Sequence, residues 1–125
     1  MNIVDSSGWI EFLTGGSNGP VFLPVIQETR QLLVPSITIY EVLKRVLSYT
    51  DEGNALKSIG VMLHGQVIDL DREIAIEAAL LSIKYKLAMA DSLILATARL
   101  KDAVLWTQDA HFKDIAGVRY VEKRT

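Results

Sequence analysis

The sequence predicts an α/β fold, a three-layer α/β/α sandwich with a mainly parallel central sheet, and three observations carry this. Short apolar runs with strand character recur along the chain, longer segments with helical period separate them, and each run ends in polar or helix-capping residues. Strands that alternate with helices pair in parallel through right-handed crossovers, which places helices on both faces of one sheet.

Ile3-Val4 reads as a short buried strand, and Asp5-Ser6-Ser7 caps a first helix whose apolar face is Trp9, Ile10, Phe12 and Leu13. Gly15-Gly16-Ser17-Asn18-Gly19 breaks it. A second helix is expected from Pro20 to Arg30, with Pro20 in the first turn, where its missing N–H is harmless, and Pro24 shifting or shortening it. Leu32-Leu33-Val34 is the second strand, ended by Pro35-Ser36 before Thr38 to Leu47 takes up a helical period with Glu41 in its first turn. Asp51 to His64 forms a further helix that Gly65 stops.

Gln66 to Leu70 is the third strand, and Asp71 to Lys86 a long helix with Ile74, Ala78, Leu81 and Tyr85 along one stripe. Asp91 to Leu100 is apolar almost all round, the pattern of a helix buried within a layer, with its acidic residue at the front. Ala103 to Thr107 is the fourth strand, Asp109 to Ile115 a short helical turn, and Val118 to Val121 a last, alternating strand.

A chain of 125 residues, half of them apolar, suits one domain spanning 1–125 with a substantial core. The absence of cysteine excludes disulfides and thiolate metal sites and fits a reducing compartment, so a cytoplasmic location is expected. The N-terminus lacks the pattern of a signal peptide, and no segment offers the roughly 20 apolar residues that span a bilayer. A net charge of −2 excludes a global basic field, so any nucleic-acid contact is local. The mean hydropathy of +0.25 fits either a well-filled core or an apolar surface covered by a partner or second copy.

Parallel sheets bind ligands beyond the carboxyl ends of their strands. Asp5 ends the first strand, Asp109 follows the fourth, and Glu41 and Asp91 open helices that leave the same edge. Four carboxylates brought together there would repel one another unless a cation sits between them. Individually, helix capping accounts for several: Asp5 and Asp91 as N-caps, worth about 0.5–2 kcal/mol, and Thr38 with Glu41 as a capping box. Asp69 and Asp71 are read as structural, with Asp71 capping the long helix, and so are His64, just before Gly65 at a helix C-terminus where positive charge is favourable, and His111, which lies two residues from Asp109 but has no partner histidine at a ligand spacing. Trp9 and Trp106 are read as core.

Mg²⁺ and Mn²⁺ prefer oxygen ligands and need only one or two direct carboxylates. Such an ion acidifies a water and stabilises the leaving oxygen of an in-line displacement, so metal-dependent phosphodiester hydrolysis is the reaction class that fits best. Ser6 and Thr107, beside the acids, are candidates to orient a carboxylate or water. Lys44, Arg45, Arg99 and Lys113 are candidates for phosphate contacts.

Four segments in order give the chain a more specific likeness: Ile3-Val4-Asp5-Ser6-Ser7, Val34 to Val42, Leu87 to Ala98, and Leu105-Trp106-Thr107-Gln108-Asp109 with Phe112. Together they resemble the PIN-domain family, and within it the VapC-type toxins of bacterial and archaeal toxin-antitoxin pairs. The resemblance implies an endoribonuclease dependent on Mg²⁺ or Mn²⁺, with Asp5, Glu41, Asp91 and Asp109 as its acidic quartet and metal ligands. It also implies a homodimer and a cognate antitoxin that covers apolar helices, for which Trp9, Phe12, Leu13, Phe22 and Ile26 would be the surface.

The first alternative is a noncatalytic PIN-like module that binds RNA or protein, whose cheapest signature, loss of an acid from the quartet, is absent. The second is another Mg²⁺ phosphotransfer protein on a similar scaffold. Asp5 is followed by Ser6-Ser7-Gly8, so the Asp-x-Asp of the aspartate-nucleophile phosphatases and the paired acids of a receiver domain are both missing.

Overall fold

A computed structural model describes residues 1–124. Five strands form one sheet: β1 (Asn2–Val4), β2 (Leu32–Pro35), β3 (Gln66–Ile68), β4 (Val104–Thr107) and β5 (Val118–Tyr120). Their order is β3-β2-β1-β4-β5 and every pairing is parallel, so the mainly parallel sheet expected from sequence is parallel throughout. β1 lies at the centre, paired on both sides, which is why Ile3 and Val4 are fully buried.

Alternate strand residues point to opposite faces. Ile3, Leu33 and Leu105 pack with α5 (Arg72–Tyr85) and α6 (Met89–Leu100) through Ile74, Leu81, Ile94 and Leu95. Val4, Leu32 and Val34 pack on the other face against α1 (Ser6–Leu13), α2 (Gly19–Gln27), α3 (Ser36–Leu47) and α4 (Glu52–Met62). The expected three layers result.

Several boundaries move for physical reasons. α2 stops at Gln27, and Thr29–Gln31 turns as a 3-10 helix, so the segment ends earlier than the sequence suggests. α3 begins at Ser36 with Pro35 as its cap, which puts Glu41 in the second turn and not the first. Thr38 is fully buried, and its hydroxyl has no hydrogen-bond partner among the described residues, so Thr38 and Glu41 form no capping box. α6 likewise starts at Met89 behind Ala88, leaving Asp91 inside the first turn without a capping role.

The apolar surface assigned to a protein partner is also revised. Trp9, Phe22 and Ile26 are core residues at 0%, 0% and 5% exposure, because α1 and α2 bury those positions against the sheet. Phe12 and Leu13 are only partly buried beside them. Exposed apolar residues lie elsewhere: Ile76, Leu80 and Ile83 along α5, and Leu56 and Leu63 at α4 and its end.

Candidate active site

The strand order places a topological switch between β1 and β4. β1, β2 and β3 progress outward on one side, and β4 then returns to the other side of β1. Crevices form beyond the carboxyl ends of strands at such a point. Asp5 leaves β1 and Asp109 leaves β4 at that position.

Asp5 is 2% exposed and caps α1. Its Oδ1 accepts the Gly8 N–H at 3.0 Å and the Ser7 hydroxyl at 2.8 Å, and its Oδ2 accepts the Thr107 hydroxyl at 2.6 Å. Gly8 is needed for this closeness, since a Cβ there would come within 2.7 Å of Val4 Cγ1 and 2.9 Å of Phe22 Cε1. Burial pushes the Asp5 carboxyl up to about 7, and the Asp109 charge adds to the rise; the bonds from Thr107, Gly8 and Ser7 hold it back.

Asp91 is half-buried and projects from the first turn of α6. Burial, then the charges of Asp109 and Glu41, raise it to about 6, with His111 opposing and no hydrogen bond among the causes. Glu41 Oε1 accepts the Ser6 hydroxyl, which ties α3 to the start of α1. Asp109 caps a 3-10 turn (Ala110–Phe112): its Oδ1 accepts the His111 N–H at 2.9 Å and lies 3.0 Å from His111 Nδ1. Donor atoms of Asp91, Asp109 and His111 all lie within 4.8 Å of one another.

The four acids come from four distant segments, and the charge of Asp109 acts on Asp5 and Asp91 and that of Glu41 on Asp91, but only Asp91 and Asp109 join His111 at ligand distance, with Asp5 and Glu41 outside that group. Ser6 and Thr107 each hold one of them. Two further members escaped the sequence reading. Ser7 bonds Asp5 and accepts the Gln108 N–H at 3.3 Å, linking the loops after β1 and β4. His111, read above as structural, stands in the site because the 3-10 turn folds it back onto Asp109; two-residue spacing after a strand gives no sign of this.

The basic candidates separate. Lys44 and Arg45 line an open cleft with Glu41. Arg99 lies eight residues beyond Asp91 on α6, about 12 Å along the axis, and its guanidinium is bonded to the Tyr85 hydroxyl at 3.3 Å and the Ala116 carbonyl at 3.1 Å. It serves the opposite end of the sheet, which removes it from the site. Lys113 is exposed beyond the 3-10 turn.

Solved structures with the same fold include a toxin-antitoxin complex from Klebsiella pneumoniae, at TM-score 0.85 and 24% identity, with 99% of this chain and 100% of that chain covered. Mycobacterium tuberculosis VapC20, described as a sarcin-ricin loop cleaving toxin, aligns at TM-score 0.76 and 13% identity over 100% of both chains. VapBC2 from Rickettsia felis, bound to a DNA fragment from its promoter, aligns at TM-score 0.74 and 16% identity over 98% of this chain and 97% of that one. No curated protein matches in sequence. The PIN domain family model matches residues 3–118, which takes in all four acids and all of the sheet but Asn2, Arg119 and Tyr120, and the chain belongs to that family.

Proposed function

We propose that the protein is a metal-dependent endoribonuclease, the toxin of a toxin-antitoxin pair, acting as one domain in the cytoplasm. The observation that carries the reading is the convergence of Asp5, Glu41, Asp91 and Asp109 at the switch point, where burial and mutual repulsion raise Asp5 and Asp91. Capping gives Asp5 and Asp109 a structural use but gives Asp91 none, and a cation would offset the charge they share.

The donor atoms that lie within 4.8 Å of one another, those of Asp91, Asp109 and His111, fit a divalent ion of the Mg²⁺ or Mn²⁺ class. Asp91 and Asp109 would hold it with Asp5, and Glu41 would hold water beside it. Once bound, the ion supplies positive charge to the phosphate oxygens and lowers the pKa of water. The chain's own groups do the rest. Thr107, Ser7 and Gly8 orient Asp5, so its two oxygens cannot rotate away from the edge. Ser6 fixes Glu41 Oε1 and leaves Oε2 to accept a proton from the attacking water. Lys44 and Arg45 sit on the same helix as Glu41 and offset the charge of the RNA backbone.

A toxin held by an antitoxin and paired with a second copy needs apolar surfaces, and two are present. Ile76, Leu80 and Ile83 form a stripe on α5 that a second copy would cover, while Leu56 and Leu63 around α4 suit an antitoxin helix. The testing experiment is incubation of partner-free protein with a mixed RNA pool, with Mn²⁺, Mg²⁺ or EDTA, followed by mapping of the cut ends. Discrete ends that require the metal are expected; RNA left intact in every condition would overturn the reading.

A further inference from the structure

Asn18 stands at the N-cap position of α2, where an asparagine side chain ordinarily accepts a backbone N–H of the first helical turn. Here it makes no such bond. It is fully buried, and its Nδ2 donates instead to Gln108 Oε1 at 3.0 Å and to the Glu122 carbonyl at 3.0 Å. A carbonyl can only accept, so the Glu122 contact fixes which end of the carboxamide carries the nitrogen. The Oδ1 atom is then left buried with no hydrogen-bond partner among the described residues. A side chain that forgoes a cap and leaves a buried acceptor unpaired is unfavourable for α2 alone.

The contacts it makes instead lead to the acidic edge. Gln108 lies between Thr107, which holds Asp5, and Asp109. Its backbone N–H donates to Ser7 Oγ at 3.3 Å, and the Asp109 N–H to Thr107 Oγ1 at 2.9 Å. These bonds hold the loop from the side of the acids. Side chains alternate along extended backbone such as that of Thr107 and Asp109, so the buried Gln108 side chain is the anchor on the opposite side. Asn18 is itself held by Glu11, whose Oε2 accepts its backbone N–H at 3.0 Å. The segment after β5 completes the seat: the Val121 N–H donates to the Thr107 carbonyl at 2.8 Å, and the Glu122 carbonyl accepts Nδ2. Both residues lie beyond the 3–118 that the PIN domain model matches, so the family's own pattern does not reach this part of the seat.

We infer that Asn18 is a positioning residue for the loop that carries Asp109, clamping Gln108 against the segment after β5 so that Asp109 stays within reach of one ion shared with Asp91 and His111. The inference rests on the metal-site reading of the acidic edge and deepens it by naming what keeps one of its ligands in place. Mg²⁺ demands near-octahedral geometry at about 2.0–2.1 Å, so a loop free to shift loses affinity for the ion before it loses its fold. The competing role is purely structural, with Asn18 tying α2 to Glu122 and nothing more. That role needs no contact to Gln108, and it would leave metal affinity unchanged.

The test is titration calorimetry with Mn²⁺ on the full chain, beside thermal melts in EDTA and in millimolar Mn²⁺. Asn18→Ala is expected to weaken Mn²⁺ binding about 10-fold, the lower end of the loss for an outer partner of a metal ligand, because it acts through Gln108. Its Tm should therefore fall further in Mn²⁺ than in EDTA. A second variant, the chain ended at Val121, removes the Glu122 carbonyl and keeps Asn18. It is expected to weaken binding by a smaller factor on its own and by none in the Asn18→Ala background, since both act through one contact. Glu122→Ala retains the carbonyl and should bind Mn²⁺ as wild type does. If Asn18→Ala does not fold, the shortened chain and Gln108→Ala decide, and both must weaken Mn²⁺ binding. Folded variants that bind Mn²⁺ as tightly as wild type, equal Tm losses with and without Mn²⁺, or a shortened chain that loses the same affinity in both backgrounds would each overturn the clamp. If wild type binds Mn²⁺ and Asn18→Ala binds it equally, the clamp fails and the metal site stands; if wild type binds no Mn²⁺, both fail.

Discussion

The Thr107 hydroxyl donates to Asp5 Oδ2 at 2.6 Å and accepts the Asp109 backbone N–H at 2.9 Å. One side chain at the end of β4 thus fixes the acid that ends β1 and the loop that carries the next acid. Accepting from Asp109 leaves the hydroxyl proton to Asp5, so the bond favours the ionised form. Thr107 is the largest single influence holding the Asp5 carboxyl down against its burial.

Thr107→Val keeps the shape and removes that proton. Hydrogen bonds to charged groups are worth about 1.5–3 kcal/mol, and loss of a partner that orients a metal-holding group lowers metal affinity about 10- to 100-fold. Titration calorimetry with Mn²⁺ is expected to show a loss of that size for Thr107→Val and little for Thr107→Ser. Unchanged affinity in Thr107→Val would mean that the hydroxyl only fills space.

Stability of the metal-free protein should fall as pH rises. Asp5 ionises at about 7 when folded and near 3.9 when unfolded, so between these values the folded state binds more protons and the stability slope is negative. Asp91, raised to about 6, acts in the same direction. Thermal melts in EDTA are expected to give a higher Tm near pH 5 than near pH 8. Millimolar Mn²⁺ should raise Tm most at pH 8, because ion binding favours the ionised carboxylates. A Tm in EDTA that climbs from pH 5 to 8, or melts that coincide with and without Mn²⁺, would contradict the clustered-acid account.

Much of this arrangement is legible in the sequence, for a specific reason. Asp5 directly follows β1 and Asp109 stands two residues beyond the end of β4, and a parallel sheet sends all such ends to one edge. Glu41 and Asp91 are harder, because capping rules suggest roles that neither plays; Ala88 and Pro35 cap those helices instead. The surface was misread because an apolar helical stripe looks alike whether it faces the core or a partner. Trp9 and Phe22 lie under α1 and α2, whereas α5 is apolar on both sides, with Ile74 and Leu81 inward and Ile76, Leu80 and Ile83 outward. His111 was missed because its place depends on a 3-10 turn that spacing does not encode.

Asp5→Asn and Asp91→Asn separate function from fold. Asparagine still caps a helix, so Asp5→Asn keeps α1 while removing a buried charge. Asp91→Asn relieves repulsion from Asp109 and Glu41. Both variants are expected to melt in EDTA at or above the wild-type Tm at pH 8, yet to lose metal-dependent cleavage by more than about 100-fold, the upper cost of losing a mere outer partner. A variant that cuts RNA at the wild-type rate would remove that residue from the mechanism.

His111 should bias the choice of ion. Its Nδ1 and Asp109 Oδ1 are 3.0 Å apart, the separation of two neighbouring ligands on an octahedral ion with bonds of about 2.1 Å. Imidazole suits Mn²⁺ better than Mg²⁺, which prefers oxygen. His111→Ala is expected to weaken Mn²⁺ binding several-fold while Mg²⁺ binding changes little, measured by calorimetry and by the Mn²⁺ electron paramagnetic resonance signal. Equal losses for both ions would leave His111 as a brace for Asp109 alone.

The α5 stripe makes the last prediction. Ile76, Leu80 and Ile83 are 59%, 63% and 84% exposed at spacings of four and three, so they share one face. A helix with apolar residues on both sides is stable in water when its outer side is covered too. Self-pairing across a two-fold axis would bring two such stripes together, and a charge placed at the centre would be buried against its own copy. Light scattering is therefore expected to report a dimer for the wild type and a monomer for Ile83→Glu, with the metal-free Tm at low concentration unchanged, since Ile83 contributes nothing to the core. A wild type that is monomeric at high concentration, or an Ile83→Glu variant that remains dimeric, would move the interface away from this helix.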